Sequence, residues 1–388
     1  MKTRLNLAFA LYKYFPFGGL QRDFLHIATA CYEKNCRIRV YTFDWQGHCP
    51  DWIDLHLIPK KGWTSQAKNE HFTRWITRHK TQHPVDALIG FNKMPGLDIY
   101  YAADGCYEAR IDDIRGRLYR LGGRYRHFSH YERAVFDPNT ETQILMISQR
   151  QQPIYQSYHR TPAHRFHMLP PGITRDRIAP PDSLPIRKDF RKEFSITKDQ
   201  QLLLMAGSGF KTKGVDRTLA ALAALPQELR EKTRLFVIGQ DNPASIIKQA
   251  GKLGVKEQFQ IFSGRDDISR FMLGADILMH PARHENTGTV LLEAIISGLP
   301  VITTDVCGYA HYVADANMGI VLESPFQQSV LNQALQQILS VDNEQQKDRW
   351  RKRGKRFSQV VDIYSMPEAA SRIIIAIAEE SRGGNLSP

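Results

Sequence analysis

The stretch from Leu5 to Phe43, LNLAFALYKYFPFGGLQRDFLHIATACYEKNCRIRVYTF, decides the fold. Leu5–Leu11 is a short apolar run, which suits a buried strand. Gly18-Gly19 follows and opens a helix that should run to about Glu33. Arg37–Phe43 (RIRVYTF) is then a second strand. Strand, helix and strand at this spacing form a right-handed βαβ unit, and parallel strands need such a crossover. Further along, Ala87–Phe91, Ile99–Ala102 and Gln143–Ser148 read as more strands of one doubly wound sheet.

Breakers then gather at Pro162, Pro170-Pro171-Gly172, Pro180-Pro181 and Pro185, as in a linker. A second series follows. Gln201–Ala206, Arg234–Ile238, Gln258–Phe262, Asp276–His280 and Pro300–Thr303 read as strands, with helices at Val215–Leu225 and Thr289–Ser297. The tail should hold a helix near 343–357, another after Pro367, and a disordered end from Gly383. The expected architecture is α/β, with two doubly wound, Rossmann-like domains facing a central cleft. Open sheets of this kind bind ligands beyond the carboxyl ends of their strands.

Composition agrees with two domains. The chain has 388 residues, 42% of them hydrophobic and 24% charged, which excludes a mainly disordered chain. Lys and Arg number 52 against 40 Asp and Glu, so the formal charge is 52 − 40 = +12, which favours an anionic partner. The five cysteines form no C-x-x-C pair, so neither zinc nor a dithiol motif is indicated, and reduced thiols are expected. Lys2 and Arg4 before an apolar run mimic a signal peptide. However, Asn6 interrupts the run, and no cleavage site follows, so the expectation is a cytosolic protein whose membrane contact is at the surface only.

Three segments carry candidate chemistry, each just after a strand. Gly18 and Gly19 precede a helix, where bare backbone and free N–H groups suit an anion, although a tight turn would explain them too. Gly207–Gly214 (GSGFKTKG) resembles a phosphate loop without matching one. Gly214 is followed by Val215-Asp216, where a nucleotide-triphosphate loop needs Lys and Ser/Thr, and the third glycine comes too late for a dinucleotide fingerprint. What remains is Lys211 and Lys213 beside a helix start, which suits a diphosphate. The third segment, HENTGTVLLE (His284–Glu293), holds Glu285 and Glu293 as an E-x7-E pair. Carboxylates accept hydrogen bonds from sugar hydroxyls, and the N–H groups of Asn286, Thr287, Gly288 and Thr289 suit phosphate. One loop would then hold both halves of a sugar nucleotide.

The E-x7-E segment resembles the retaining glycosyltransferases of family four, whose architecture is GT-B. LYKYFPFGGLQRDF (Leu11–Phe24), GFNKMPGLDIYYAAD (Gly90–Asp104), LPPGI (Leu169–Ile173), KGVDR (Lys213–Arg217) and VCGYAHY (Val306–Tyr312) look more narrowly like the core glucosyltransferases of lipopolysaccharide assembly, which extend the inner-core heptose. The likeness spans Leu7 to about Pro367. It implies domains at 1–170 and 171–357, with residues 358–388 crossing back to the first. It implies Gly18 and Gly19 beside the donor diphosphate, Asp104 facing the sugar, Lys213 on the diphosphate and Arg265 flanking the base. Glu285 would hold sugar hydroxyls, with the Asn286–Gly288 backbone beside it, and Glu293 would hold the ribose diol. Asp104 and Glu285 are thus the catalytic candidates. At Thr212 those transferases carry Arg, and Lys211 lacks that planar fork.

The activity so implied is transfer, with retention, of glucose from UDP-glucose to a heptose of the lipopolysaccharide inner core. No Asp-x-Asp motif is evident, so neither metal nor other cofactor is expected. Another UDP-hexose as donor, or a membrane-surface nucleotide-binding protein without turnover, are the alternatives. Arg115, Arg117, Arg120, Arg124, Arg126 and Arg133 interleave with Tyr119, Tyr125, Phe128 and Tyr131, against Glu132. This suits the anionic inner membrane of a Gram-negative bacterium, on its cytoplasmic face, or the acceptor phosphates. Nucleic acid is not expected, since no module for it is present. The pairs His79/His83 and His280/His284 read as non-metal histidines. Trp45 and Trp63 read as core or acceptor-cleft residues, and Lys347–Arg356 as a solvated helix face.

Overall fold

The structure is a computed structural model and describes residues 4–16, 18–340 and 344–384, with the side chains of residues 114 and 117 excepted. The chain divides into two compact units, Met1–Gly172 with Tyr364–Pro388, and Ile173–Ile363. The return to the first unit begins at Tyr364 rather than at 358, because the helix Glu344–Val360 belongs to the second. Phe17 and residues 385–388 lie outside the described residues. Gly383, expected to start a disordered tail, belongs to the helix Met366–Gly384.

The first unit is a seven-stranded sheet: β1 (Asn6–Ala10), β2 (Arg37–Thr42), β3 (Ile53–Leu57), β4 (Ala87–Gly90), β5 (Ile99–Ala102), β6 (Gln143–Met146) and β7 (Phe166–Met168), in the order β3-β2-β1-β4-β5-β6-β7. Every pairing is parallel; Leu7, for instance, stands opposite both Ile38 and Ala87. Side chains alternate across β1. Leu7 and Phe9 enter a core with Phe24 and Ile27 of the helix Gly19–Glu33 and with Ala370, Ile374 and Ala378 of the last helix. Ala8 and Ala10 face the opposite core, with Phe72, Ile76, Val135 and Tyr155. The last helix is therefore a structural wall of the first unit, pinned by Arg382 on Asp86 at 2.7 and 2.8 Å.

The second unit repeats the plan with six parallel strands: β8 (Gln201–Ala206), β9 (Thr233–Ile238), β10 (Phe259–Phe262), β11 (Ile277–His280), β12 (Val301–Thr304) and β13 (Gly319–Leu322), ordered β10-β9-β8-β11-β12-β13. Buried Asp276, just before β11, ties this unit together. Its carboxylate takes the N–H of Leu202 at 2.8 Å and ion pairs from Arg187, Arg191 and Lys347. Lys347 is thus a structural cation rather than part of a solvated face.

The sequence reading missed β3, β7 and β13. All three are edge strands with one neighbour each; β3 (IDLHL) and β7 (FHM) are broken by polar residues, whereas β13 (GIVL) is apolar but only four residues long. Trp45 stacks on Tyr14 at 3.9 Å, against the core. Trp63 does not: it is fully exposed.

Candidate active site

Two loops of the second unit are locked together after β8 and β11. Gly214 stands at φ +81°, and a Cβ there would lie 2.2 Å from the carbonyl oxygen of Pro281, so only glycine fits. Arg283 binds both carboxylate oxygens of Asp216, at 2.7 and 2.8 Å, and the carbonyl of Lys211 at 2.8 Å. Its own N–H donates to the carbonyl of Thr212. Arg217 donates to the carbonyls of Pro281 and Ala282, each at 3.1 Å. Neither arginine was singled out in the sequence, because their partners lie far along the chain.

This docking brings Lys213 onto Glu285, where the two form an ion pair. His280, at the end of β11, places Nε2 3.2 Å from the same carboxylate oxygen. Burial pushes the Glu285 pKa up. The hydrogen bond from His280 and the Lys213 charge outweigh it and hold the group at about 2. A carboxyl so strongly acidic stays ionised at neutral pH. It is a poor proton carrier and a good acceptor for hydroxyl donors. His280, set aside in the sequence reading, is part of this constellation.

Next to it, Gly288 is the N-cap of the helix Thr289–Ile296 at φ +84° and, as a glycine, supplies no side-chain cap of its own. The carbonyl of Thr287 is taken by the Tyr309 N–H at 2.7 Å, which ties down the loop before the helix start. Glu293 lies in the second turn of this helix and is half-buried.

The Gly207–Gly214 loop departs from expectation. The N–H groups of Gly209 and Phe210, at the start of the short helix Phe210–Lys213, both donate to the Asp241 carboxylate, the latter at 3.0 Å. That carboxylate already serves as the anion of this helix start. The loop backbone is thus engaged by Asp241, and Lys213 by Glu285. Lys211 is exposed, and the nearby Arg283 fork is bonded to Asp216. Arg265 is exposed and doubly bonded to Asp267, at 2.6 and 2.9 Å.

In the first unit, Gly18 is the N-cap of the helix Gly19–Glu33, without a side-chain cap or an acidic residue in the first turn. A Cβ at Gly18 would collide with the Gln21 side chain, whereas one at Gly19 would meet nothing within 4 Å. Packing thus leaves room for a side chain at position 19.

Asp104 follows β5 and is exposed, on a loop held from beneath. Its carbonyl accepts from Tyr155 at 2.9 Å, and Lys93 donates to the carbonyl of Gly105 at 2.9 Å. Glu132, fully buried, takes the N–H groups of Tyr107 and Glu108 at 2.7 and 3.0 Å, Lys93 at 2.5 Å and His159 at 3.0 Å. Burial pushes the Glu132 pKa up, and Lys93 with these hydrogen bonds brings it down to about 2. Cys106 completes a cluster of metal-ligand type with Glu132 and His159. Its thiol is pushed up to about 12 by burial and by Glu132, so it is neutral, and the carboxylate is already bonded. The cluster is a clamp for the Asp104 loop. The one acid in the basic stretch is its keystone.

That stretch splits by face. Arg115, Arg120, Arg124, Arg126 and Arg133 are exposed, but Tyr125 and Tyr131 are buried in the unit, because the helix Gly123–Phe136 turns them inward. They do not form part of a membrane or acceptor surface. Tyr119 and Phe128 are half-buried under Arg115 and Arg124, at 5.4 and 5.7 Å. The side chain of Arg117 lies outside the described residues. Arg120 pairs with Asp112, and Arg133 with Glu108 at 3.2 Å.

Two Rossmann-like domains of GT-B type, the second holding a Lys–Glu–His group beside a glycine-capped helix start, define a glycosyltransferase. Residues 186–357 match the family model of the glycosyl transferases group 1. The lipopolysaccharide glucosyltransferase WaaG of Escherichia coli is 46% identical over 368 residues, covering 95% of this chain and 98% of that one. A crystal structure of WaaG, described as a glycosyltransferase involved in lipopolysaccharide biosynthesis, superposes with a TM-score of 0.88 over 95% of this chain and 99% of that one, at 46% identity. HepE of Anabaena, in complex with UDP-glucose, shares the fold with a TM-score of 0.72, at 14% identity over 96% of this chain and all of that one. The chain belongs to the WaaG family of group 1 glycosyltransferases and is a hexosyltransferase.

Proposed function

We propose that the protein transfers glucose from UDP-glucose to a heptose of the lipopolysaccharide inner core, with retention at the anomeric carbon and without a metal ion. The observation that carries this reading is the Lys213–Glu285–His280 group beside the Gly288 helix start. Near-complete coverage of WaaG supports the acceptor class.

In this reading Lys213 and the helix start at Gly288 neutralise the charge that grows on the leaving diphosphate. Glu285 accepts hydrogen bonds from sugar hydroxyls, and Glu293 from the ribose diol. With its pKa held at about 2, Glu285 is not poised as a base. The acceptor hydroxyl then gives its proton to the departing phosphate on the same face, which preserves the configuration. The enzyme works in the cytoplasm, on the inner face of the inner membrane, with the arginine segment 115–133 toward the lipid.

The test is incubation with UDP-glucose and heptose-truncated lipopolysaccharide in EDTA, following UDP release and acceptor mass. A gain of one hexose supports the reading. No transfer from UDP-glucose, with transfer from another UDP-hexose, would move the donor assignment. Silence with every donor would overturn catalysis on this acceptor.

A further inference from the structure

Trp63 is 101% exposed, Leu118 83% and Leu121 67%, all in the first unit. A fully exposed Trp is unusual, since burying such a side chain stabilises by a few kcal/mol. Nor does it sit on slack chain. Gly62 holds φ +111°, with its Cβ position 2.6 Å from the Ala67 side chain, so only glycine makes this turn. Thr64 then caps the helix Ser65–Gln82, its hydroxyl accepting from the Ala67 N–H at 3.1 Å. Trp63 is clamped between the two and presented outward, after exposed Lys60 and Lys61.

This turn and the arginine segment lie at one end of the unit. Asn69 meets His127 at 3.5 Å, and Thr73 meets Tyr131 at 3.2 Å. Both contacts advance by one turn along both helices, so Ser65–Gln82 and Gly123–Phe136 run in the same direction. Each starts about 6 Å before the Asn69–His127 level, at 1.5 Å per residue. Trp63 leads directly into one start; Leu118 and Leu121, on the short helix Arg117–Leu121, lead into the other. Neither helix has an acidic residue in its first turn, and Arg124 and Arg126 stand at the start of the second. Cations there oppose the helix dipole unless an anion faces them. The acids nearby are largely engaged: Asp44 with Lys60, Asp112 with Arg120, and Glu70 with His127.

We propose that the Lys60–Trp63 turn is a second membrane anchor, which inserts Trp63 at the headgroup level of an anionic bilayer beside Leu118 and Leu121. Lysines with Trp, and arginines with Leu, match an interface that is charged outside and apolar beneath. The inference rests on the membrane-facing reading of segment 115–133.

The experiment uses the full chain with vesicles of phosphatidylethanolamine and phosphatidylglycerol (7:3), and with neutral phosphatidylcholine vesicles. Co-sedimentation gives affinity, and brominated lipid reports Trp depth. Binding should be confined to anionic vesicles, with quenching that Trp63→Phe abolishes. Trp63→Ala should bind about tenfold more weakly, and Lys60→Ala/Lys61→Ala at least tenfold more weakly. Circular dichroism should be unchanged, since Trp63 touches nothing that packs. Anionic vesicle binding by the wild type that equals that of Trp63→Ala, without Trp63 quenching, would overturn the anchor and leave the arginine segment standing. No vesicle binding by the wild type would overturn both. A lipid-free dimer abolished by Trp63→Ala would assign the face to a second copy instead, and overturn the anchor.

Discussion

Glu285→Gln keeps the shape of the side chain and removes its charge, so it isolates what the Lys213–His280 environment does. The carboxyl sits at about 2 in the folded chain, against an ordinary 4.5. A gap of about 2.5 pH units corresponds to about 3 kcal/mol of stability. The folded value is the lower one, so this stability is fully present above about pH 4.5 and is lost as pH falls toward 2. At pH 3.5 the unfolded chain already binds most of the proton, and about 1.4 kcal/mol of the contribution is gone. Glutamine recovers part of the hydrogen bonding, so wild type should exceed Glu285→Gln by about 2–3 kcal/mol at pH 7. Hydrogen exchange in peptides covering 201–296 of the full chain, in urea, would measure this for the second unit alone. The difference should shrink between pH 4.5 and 3. A difference independent of pH, or one that vanishes already above pH 5, would refute the reasoning, because the carboxylate would then have no acid-shifted partner set. Losing a charged acceptor for sugar hydroxyls should also lower kcat/KM by about 10- to 150-fold.

Other changes test other parts. Gly19→Ala should leave stability unchanged or raise it by about 0.5 kcal/mol, yet depress transfer at least tenfold; full activity would remove the donor from that position. Gly214→Ala should cost about 2–4 kcal/mol, through the φ penalty and the clash with Pro281, read as the midpoint of denaturant unfolding. Lys93→Met leaves the buried Glu132 carboxylate without its ammonium and should cost about 3–5 kcal/mol. Adding Glu132→Gln should restore part of that loss, and a strictly additive double variant would argue against the clamp.

Much of this protein was legible in order along the chain. Central strands such as Gln201–Ala206 and Ile99–Ala102 are buried on both faces, so their apolar runs stand out locally. The positions of Gly18, the 207–214 loop and the 284–293 segment follow from those strands, because a parallel sheet puts function at the ends of its strands. Family resemblance added the chemistry that no local pattern contains.

Tertiary structure decided what depends on partners distant in sequence. The edge strands β3 and β7, interrupted by polar residues, are recognised only through the neighbour that pairs with them. Asp241 claims the N–H groups of the Gly-rich loop, His280 and Lys213 converge on Glu285, and Arg283 locks the loops that carry them. Tyr125 and Tyr131 turn inward while Trp63 turns outward, although composition alone suggests the reverse. Local propensity and periodicity act over a few residues. Burial, charge pairing and exposure are set by which surfaces meet after folding, and a sequence read one segment at a time carries no term for that.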